Sequence, residues 1–126
     1  MSDRLRNERV YVWKETFAVL RSRRPSRDAF AVIRDKNEIT VVIDQSRIDQ
    51  KGTIDVERDW KILTFDTVLP FGLVGFFAKI SKALADEGIS ILVFSAYSTD
   101  HILVKERDLP KAIVTLENLG WTVHEK

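Results

Sequence analysis

The chain has 126 residues, which is enough for one domain or for two very small ones. Apolar residues make up 44% and charged residues 31%, and the net charge of +1 provides no field that would favour nucleic acid or an anionic membrane. The lack of cysteine excludes disulfides and thiolate chemistry. The first nine residues are charged rather than signal-like, and no apolar run approaches the roughly 20 residues that span a bilayer, so we expect a cytoplasmic protein.

The first half of the chain reads as short strands joined by polar turns. The expected strands are residues 15–22, 30–34, 39–43 and 52–59. Residues 44–48 predict only a vestigial helix, and the basic loop 23–28 stands where a first helix would belong. This half therefore has the layout of a sheet with few helices.

The second half shows one complete β-α-β-β-α-β pattern. The expected strands are residues 60–66, 89–97, 101–105 and 121–124. The strand at 89–97 is almost continuously apolar, which is typical of a strand covered on both faces. We therefore predict that this strand lies inside the sheet.

Two amphipathic helices separate these strands. Apolar residues three and four apart place one stripe on each helix: Leu73, Phe76, Phe77, Ile80 and Leu84 on the first, and Leu109, Ala112, Ile113, Leu116 and Leu119 on the second. The first helix is expected to begin near Gly72 and to end at Gly88; the second is expected to begin with Asp108 as N-cap and to end at Gly120. Because each helix must cover a sheet face, the pattern predicts an α+β fold of ferredoxin-like topology.

The first half also matches the second in layout, since residues 30–48 follow the same order of strand, turn, strand and helix start as residues 92–110. We therefore predict two tandem ferredoxin-like folds. Residues 1–59 would form a degenerate N-terminal half, and residues 60–126 would form the complete C-terminal domain.

Three stretches of the second half resemble a known family. Residues 69–80, 83–91 and 94–104 are similar to an ACT domain, and within that family to the subgroup of small bacterial tandem-ACT proteins and the Castor arginine sensors. The similarity is close over residues 60–120 and rests on layout alone in the first half. It implies a regulatory module that binds an amino acid, usually at an interface between two copies.

The resemblance also implies the site residues. They lie in the first strand-to-helix turn (Pro70, Phe71, Gly72, Leu73) and at a strand end (Tyr97, Ser98, Thr99, Asp100). Free amides at the helix start suit an α-carboxylate, and Asp100 suits an ammonium or guanidinium group. The arginine sensors have an acidic residue at the position of Leu73, so a smaller or apolar amino acid is at least as good a candidate as arginine.

Other functions have weaker support in the sequence. The carboxylates of Asp35, Glu38, Asp44 and Asp100 lie at expected turns, and His101 and His124 have no partner at metal-ligand spacing, so we expect neither an enzyme nor a metal or cofactor site. An arginine cluster offers a phosphate or nucleic-acid contact as a distant alternative: Arg21, Arg23, Arg24 and Arg27. The expected central strands carry too few aromatic residues for RNA stacking.

The sequence therefore predicts a small regulatory protein that reversibly binds an amino acid at the junction of two ACT-like folds. The main alternative is a ligand-free interaction module, such as a homodimer formed through sheet edges.

Overall fold

The computed structural model describes residues 9–66 and 75–126. The strands in these residues are β1 (Arg9–Val12), β2 (Phe17–Ser22), β3 (Ala31–Arg34), β4 (Ile39–Asp44), β5 (Thr53–Phe65), β6 (Leu92–Ser95), β7 (Asp100–Lys105) and β8 (Thr122–Glu125). The α-helices are α1 (Phe76–Asp86) and α2 (Leu109–Asn118), and short 3-10 helices occupy Gln45–Arg47 and Glu106–Asp108. The chain forms two compact units. The first, called here the helical unit, consists of Met1–Lys14 and Lys61–Lys126; the second, called the strand unit, consists of Glu15–Trp60.

The sheet of the helical unit has the order β6-β7-β5-β1-β8. Strand β1 runs antiparallel to β5, with Val10 opposite Phe65, and parallel to β8. The sequence did not predict β1, which has only four residues and follows a charged stretch. It lies between the first and last strands of the β-α-β-β-α-β pattern, so residues distant in sequence complete this unit.

One hydrophobic core lies between this sheet and the two helices. Its fully or nearly fully buried members include Val10, Leu63, Phe65, Ile80, Leu84, Ile102, Val104, Ala112 and Leu116. The ring of Phe65 contacts Phe77 and Trp121 edge-on, at centroid distances of 5.9 Å and 4.9 Å. The predicted apolar stripes are confirmed for the stripe residues that belong to this core.

The predicted helix ends are confirmed at both C-termini and at the start of α2. Gly88 and Gly120 follow α1 and α2 with φ of +75° and +101°, a conformation that costs glycine little. Asp108 is the last residue of a 3-10 helix, and its side chain makes no capping hydrogen bond to α2. Asp108 therefore occupies the predicted N-cap position of α2 but does not supply the side-chain hydrogen bond of a capping residue.

The prediction of a strand covered on both faces at residues 89–97 is wrong for the part that forms β6. This strand has only four residues, which alternate between half-buried and exposed, and 46% of Val93 is accessible. Among the described strands, β6 pairs with β7 alone and therefore lies at the sheet edge. An apolar run does not by itself distinguish an edge strand from a central one.

The strand unit is a sheet of order β3-β4-β2-β5 without an α-helix in Glu15–Trp60. Its small core consists of Ala18, Leu20, Val41 and Ile43. The vestigial helix expected at residues 44–48 is the 3-10 helix Gln45–Arg47, where the Asp44 carboxylate accepts the Ser46 N–H at 2.9 Å. As expected, the loop that follows β2 contains no helix.

Strand β5 passes from one unit to the other and contains a bulge at the boundary. Between Phe17 and Val19 the pairing with β2 shifts register, and Asp59 has φ of +68°. The side chain of Gln45 holds this residue twice, since its Nε2 donates to Asp59 Oδ1 at 3.1 Å and its Oε1 accepts the Asp59 N–H at 3.0 Å. The domain boundary expected after residue 59 lies next to this bulge. Residues 1–14, which were expected in the N-terminal half, belong to the helical unit.

Candidate functional site

The structure describes half of the predicted site. Pro70, Phe71, Gly72 and Leu73 lie outside the described residues, whereas Tyr97, Ser98, Thr99 and Asp100 belong to the connection between β6 and β7. The placement of the strand-to-helix turn against this connection therefore stays a prediction.

The β6–β7 hairpin positions the described half of the site. Ser95 pairs with Asp100, and the Ala96 N–H donates to the Thr99 carbonyl at 2.8 Å, which leaves a two-residue tip. At this tip Tyr97 is fully exposed and Ser98 is exposed. Thr99 and Asp100 are half-buried, so they can present polar groups to a ligand from a defined strand end.

A chain of polar side chains, called here the polar chain, connects this strand end to β5 and to the residue after β1. Trp13 Nε1 donates to Thr64 Oγ1 at 2.7 Å. Thr64 Oγ1 lies 2.7 Å from His101 Nδ1, and His101 Nε2 lies 3.0 Å from Thr99 Oγ1. Thr64 is completely buried and His101 is 8% exposed, so both are held in an environment that makes hydrogen bonds costly to lose.

The polar chain lies on the sheet face that the helices leave uncovered. Leu63 and Phe65 belong to the core beneath the helices, and successive strand residues point to opposite faces. Thr64 therefore points away from the helices, as does His101, whose neighbour Ile102 belongs to the same core.

Burial lowers the pKa of His101 below its ordinary value, and the neighbouring Asp100 carboxylate opposes that shift. The imidazole is therefore neutral at neutral pH, with one donor and one acceptor nitrogen. Sequence reasoning considered His101 only as a metal ligand and missed its place in the polar chain. Its position directly after Thr99 and Asp100 was the only signal available.

Two of the carboxylates considered for catalysis, Asp35 and Asp44, accept backbone hydrogen bonds in turns. Asp35 Oδ1 accepts the backbone N–H groups of Asn37 at 2.8 Å and of Glu38 at 2.9 Å, and these bonds lower its pKa. The Ser46 backbone N–H likewise lowers the pKa of Asp44. In residues 9–66 and 75–126 no three histidine or acidic side chains are grouped so that they could hold a metal ion.

The arginine cluster is partly neutralised within the strand unit. Arg21 contacts Asp55 at 2.6 Å, and Arg24 contacts Asp49 at the same distance. The Arg24 guanidinium lowers the pKa of Asp49 by hydrogen bonding. Two of the four arginines proposed to meet phosphate groups therefore already have carboxylate partners.

The strand unit also has an open depression of about 450 Å³. Its lining residues are Val19, Leu20, Arg21, Glu38, Thr40, Asp55, Val56 and Glu57. The Arg21–Asp55 ion pair lies on its wall, and the remaining charges are acidic. Nothing in the sequence predicted this depression.

The fold and the hairpin define the helical unit as an α+β, ferredoxin-like domain with two helices on one sheet face. The sequence profile of the ACT domain family matches residues 55–118, so the chain belongs to the ACT domain family. No helix in the described part of the chain is long and apolar enough to cross a membrane.

Known proteins with similar sequence or structure agree with this family. The human protein CASTOR3P is 38% identical over 108 residues, which cover 75% of this chain and 66% of the relative; the chain thus spans about two thirds of that protein. A structural genomics target from Agrobacterium tumefaciens has a TM-score of 0.79 at 22% identity and covers 95% of this chain and 94% of its own. The regulatory subunit of aspartate kinase from Thermus thermophilus, in its ligand-free form, has a TM-score of 0.62 at 11% identity, with coverage of 86% and 95%.

Proposed function

We propose that this protein is a small, non-catalytic regulatory protein that reversibly binds an amino acid through its helical unit. Membership of the ACT family supports this proposal, because ACT domains serve as amino-acid-binding modules of regulatory proteins. The observation that carries it is the pair of half-buried polar residues, Thr99 and Asp100, at the start of β7. Their position corresponds to the strand end that the family resemblance assigns to the ligand.

In this proposal Asp100 binds the ammonium group of the amino acid. A carboxylate that is half-buried loses part of its hydration and forms a stronger charge-assisted hydrogen bond than a fully exposed one. The residues Pro70, Phe71, Gly72 and Leu73 would supply the carboxylate side of the site. The location of this site at a junction of two ACT-like folds stays a prediction.

A thermal-shift screen against the twenty amino acids tests the proposal. A ligand at about 100 times its Kd adds roughly 2.7 kcal/mol of stability, which raises the melting temperature of a domain of this size by several degrees. The matched pair of variants is Asp100→Asn, which should abolish the shift, and Asp108→Asn, a half-buried aspartate without a capping bond, which should keep it. A ligand whose shift survives Asp100→Asn would contradict the assignment of Asp100.

The exposed edge of the strand unit favours a second candidate function, a ligand-free dimerisation module. Among the described strands β3 pairs only with β4, and Val32 and Ile33 on it are 40% and 45% exposed. Open strand edges with apolar side chains favour pairing with another chain. Sedimentation of the wild type and of Ile33→Lys would separate the candidates: a dimer lost in this variant, with a flat amino-acid screen, would favour the interaction module.

A further inference from the structure

The loop between β2 and β3 carries a serine shortly after two arginines. The sequence Arg23-Arg24-Pro25-Ser26 places guanidinium groups three and two residues before the Ser26 hydroxyl. Serine kinases that select basic substrates hold arginines at these positions against acidic side chains, through charge-assisted hydrogen bonds. No other serine in the sequence has two arginines at this spacing, so Ser26 alone meets the requirement.

The backbone of this loop suits a kinase active site. A kinase binds its target serine in an extended segment, and residues 23–30 contain neither helix nor strand that would have to open. The three residues before Ser26 are exposed, and Ser26 itself is half-buried. In residues 9–66 and 75–126 the Ser26 hydroxyl has no hydrogen-bond partner, and the hydrogen bond from the Ala29 N–H to the Ser26 carbonyl is long, at 3.4 Å. The described contacts of the serine are therefore few.

The two arginines before Ser26 differ in their contacts. Arg23 has no carboxylate partner in the part of the chain that the structure describes. Arg24 is held by Asp49, whose Oδ2 accepts from Nε at 3.1 Å and from Nη2 at 2.6 Å. Both side chains of this pair are exposed, at 60% and 42%, so the pair is weak and can exchange partners. Arg24 is therefore available to an acidic pocket once one surface ion pair opens.

We propose that Ser26 is a phosphorylation site for an arginine-directed serine kinase. The Ser26 Oγ attacks the γ-phosphorus of ATP, the bond from that phosphorus to ADP breaks, and the hydroxyl proton passes to the kinase. This inference goes beyond amino-acid binding and is independent of it. The basic loop belongs to the strand unit, whereas the proposed ligand residues belong to the helical unit.

Phosphorylation changes the charge of the basic loop. Three arginines and one aspartate give residues 23–28 a net charge of +2. A phosphoserine adds about −1.5 to −2 at neutral pH, so the net charge of the loop falls to about zero. The phosphate also competes with Asp49 for Arg24, because a dianion forms a stronger charge-assisted hydrogen bond than a single carboxylate. The modification therefore acts as a charge switch on this loop.

The first experiment measures phosphate transfer to the folded protein. The full chain is incubated with ATP and the catalytic subunit of cyclic-AMP-dependent kinase, and the modified residue is mapped by tandem mass spectrometry. We expect phosphate on Ser26 and not on Ser98, which is exposed but has no arginine before it in its strand or turn. Arg23→Ala should lower kcat/KM roughly tenfold or more, because a charge-assisted hydrogen bond is lost. A folded wild type that takes up no phosphate at Ser26 would overturn the proposal.

The Arg24–Asp49 ion pair supplies a test that depends on the structure. Asp49→Asn removes the charge that holds Arg24, so kcat/KM for phosphorylation should rise by about two- to fivefold, the equivalent of a surface ion pair. Asp55→Asn is the matched control and should leave the rate unchanged. It removes an equally short ion pair, of 2.6 Å, to Arg21, which lies in β2 and farther from Ser26 along the chain. Equal rates for Asp49→Asn and the wild type would contradict the recognition of Arg24.

The last experiment follows the charge switch at Asp49. The Arg24 hydrogen bond lowers the pKa of Asp49, so transfer of Arg24 to the phosphate should raise that pKa toward its ordinary value. ¹³C NMR titration of the side-chain carboxyl groups, in the unmodified and the phosphorylated protein, measures the change. Asp35 is the internal reference, because its pKa is lowered by backbone N–H groups of its own turn. An Asp49 pKa that stays the same after phosphorylation would refute the competition for Arg24.

Discussion

Replacing Thr64 by valine removes the hydroxyl at the centre of the polar chain while keeping the shape of the side chain. Thr64 is completely buried, and its Oγ1 takes part in two hydrogen bonds of 2.7 Å, to Trp13 and to His101. Each such bond contributes about 0.5–1.5 kcal/mol net, so we expect Thr64→Val to lower the free energy of unfolding by about 1–3 kcal/mol. For a chain of this length that corresponds to a fall in melting temperature of roughly 4 °C per kcal/mol.

The assay is chemical denaturation of the wild type, Thr64→Val and Thr64→Ser. Serine keeps the hydroxyl and loses one methyl group, which should cost about 1 kcal/mol through lost burial. If burial of apolar surface alone decided stability at this position, valine would be neutral or stabilising. A Thr64→Val protein as stable as the wild type, with serine the less stable of the two, would refute the reasoning.

Three further outcomes are expected from the same structure. Leu84→Ala should lower the free energy of unfolding by about 2–5 kcal/mol, because the side chain is fully buried, whereas Val114→Ala, at a position that is 55% exposed, should change it by less than about 0.5 kcal/mol in a denaturation experiment. Asp59→Val should destabilise the protein by more than about 1 kcal/mol because its φ is positive, and Asp59→Asn should be nearly neutral; equal stabilities would contradict the strain at this bulge. The pKa of His101 is lowered on folding, so the unfolded chain binds a proton at this residue more readily than the folded protein does. The stabilisation of the folded state by His101 is therefore fully present above about pH 6.5 and is lost as the pH falls below that value. The difference in free energy of unfolding between the wild type and His101→Gln should shrink between about pH 7 and pH 5.

Much of the helical unit could be predicted because its elements have strong local patterns. The stripes of α1 and α2 follow the helical period, and Gly88 and Gly120 follow these helices with positive φ. The vestigial helix of the strand unit was predicted as well, since no long amphipathic period occurs in that half. These features depend on residues close together in the sequence, and local periodicity and turn chemistry are sufficient to find them.

Other features depended on neighbours that the sequence does not reveal. The apolar run that forms β6 predicted a covered strand, but an edge strand can carry the same residues because its position in the sheet is set by pairing. In the same way, β1 is too short to be recognised alone and is stabilised by pairing with β5 and β8. Asp108 occupies the N-cap position that the sequence predicted, but its side chain makes no capping hydrogen bond, which the residue type alone does not determine.

The sequence by itself determined the family, the two helices with their buried faces, and the residues of the candidate strand end, because periodicity and short motifs are local properties. The polar chain could be recognised only in the tertiary structure. Trp13 is 51 residues from Thr64 and Thr64 is 37 residues from His101, so no pattern along the chain links them. Strand pairing brings these side chains onto one sheet face, where burial makes their hydrogen bonds costly to lose.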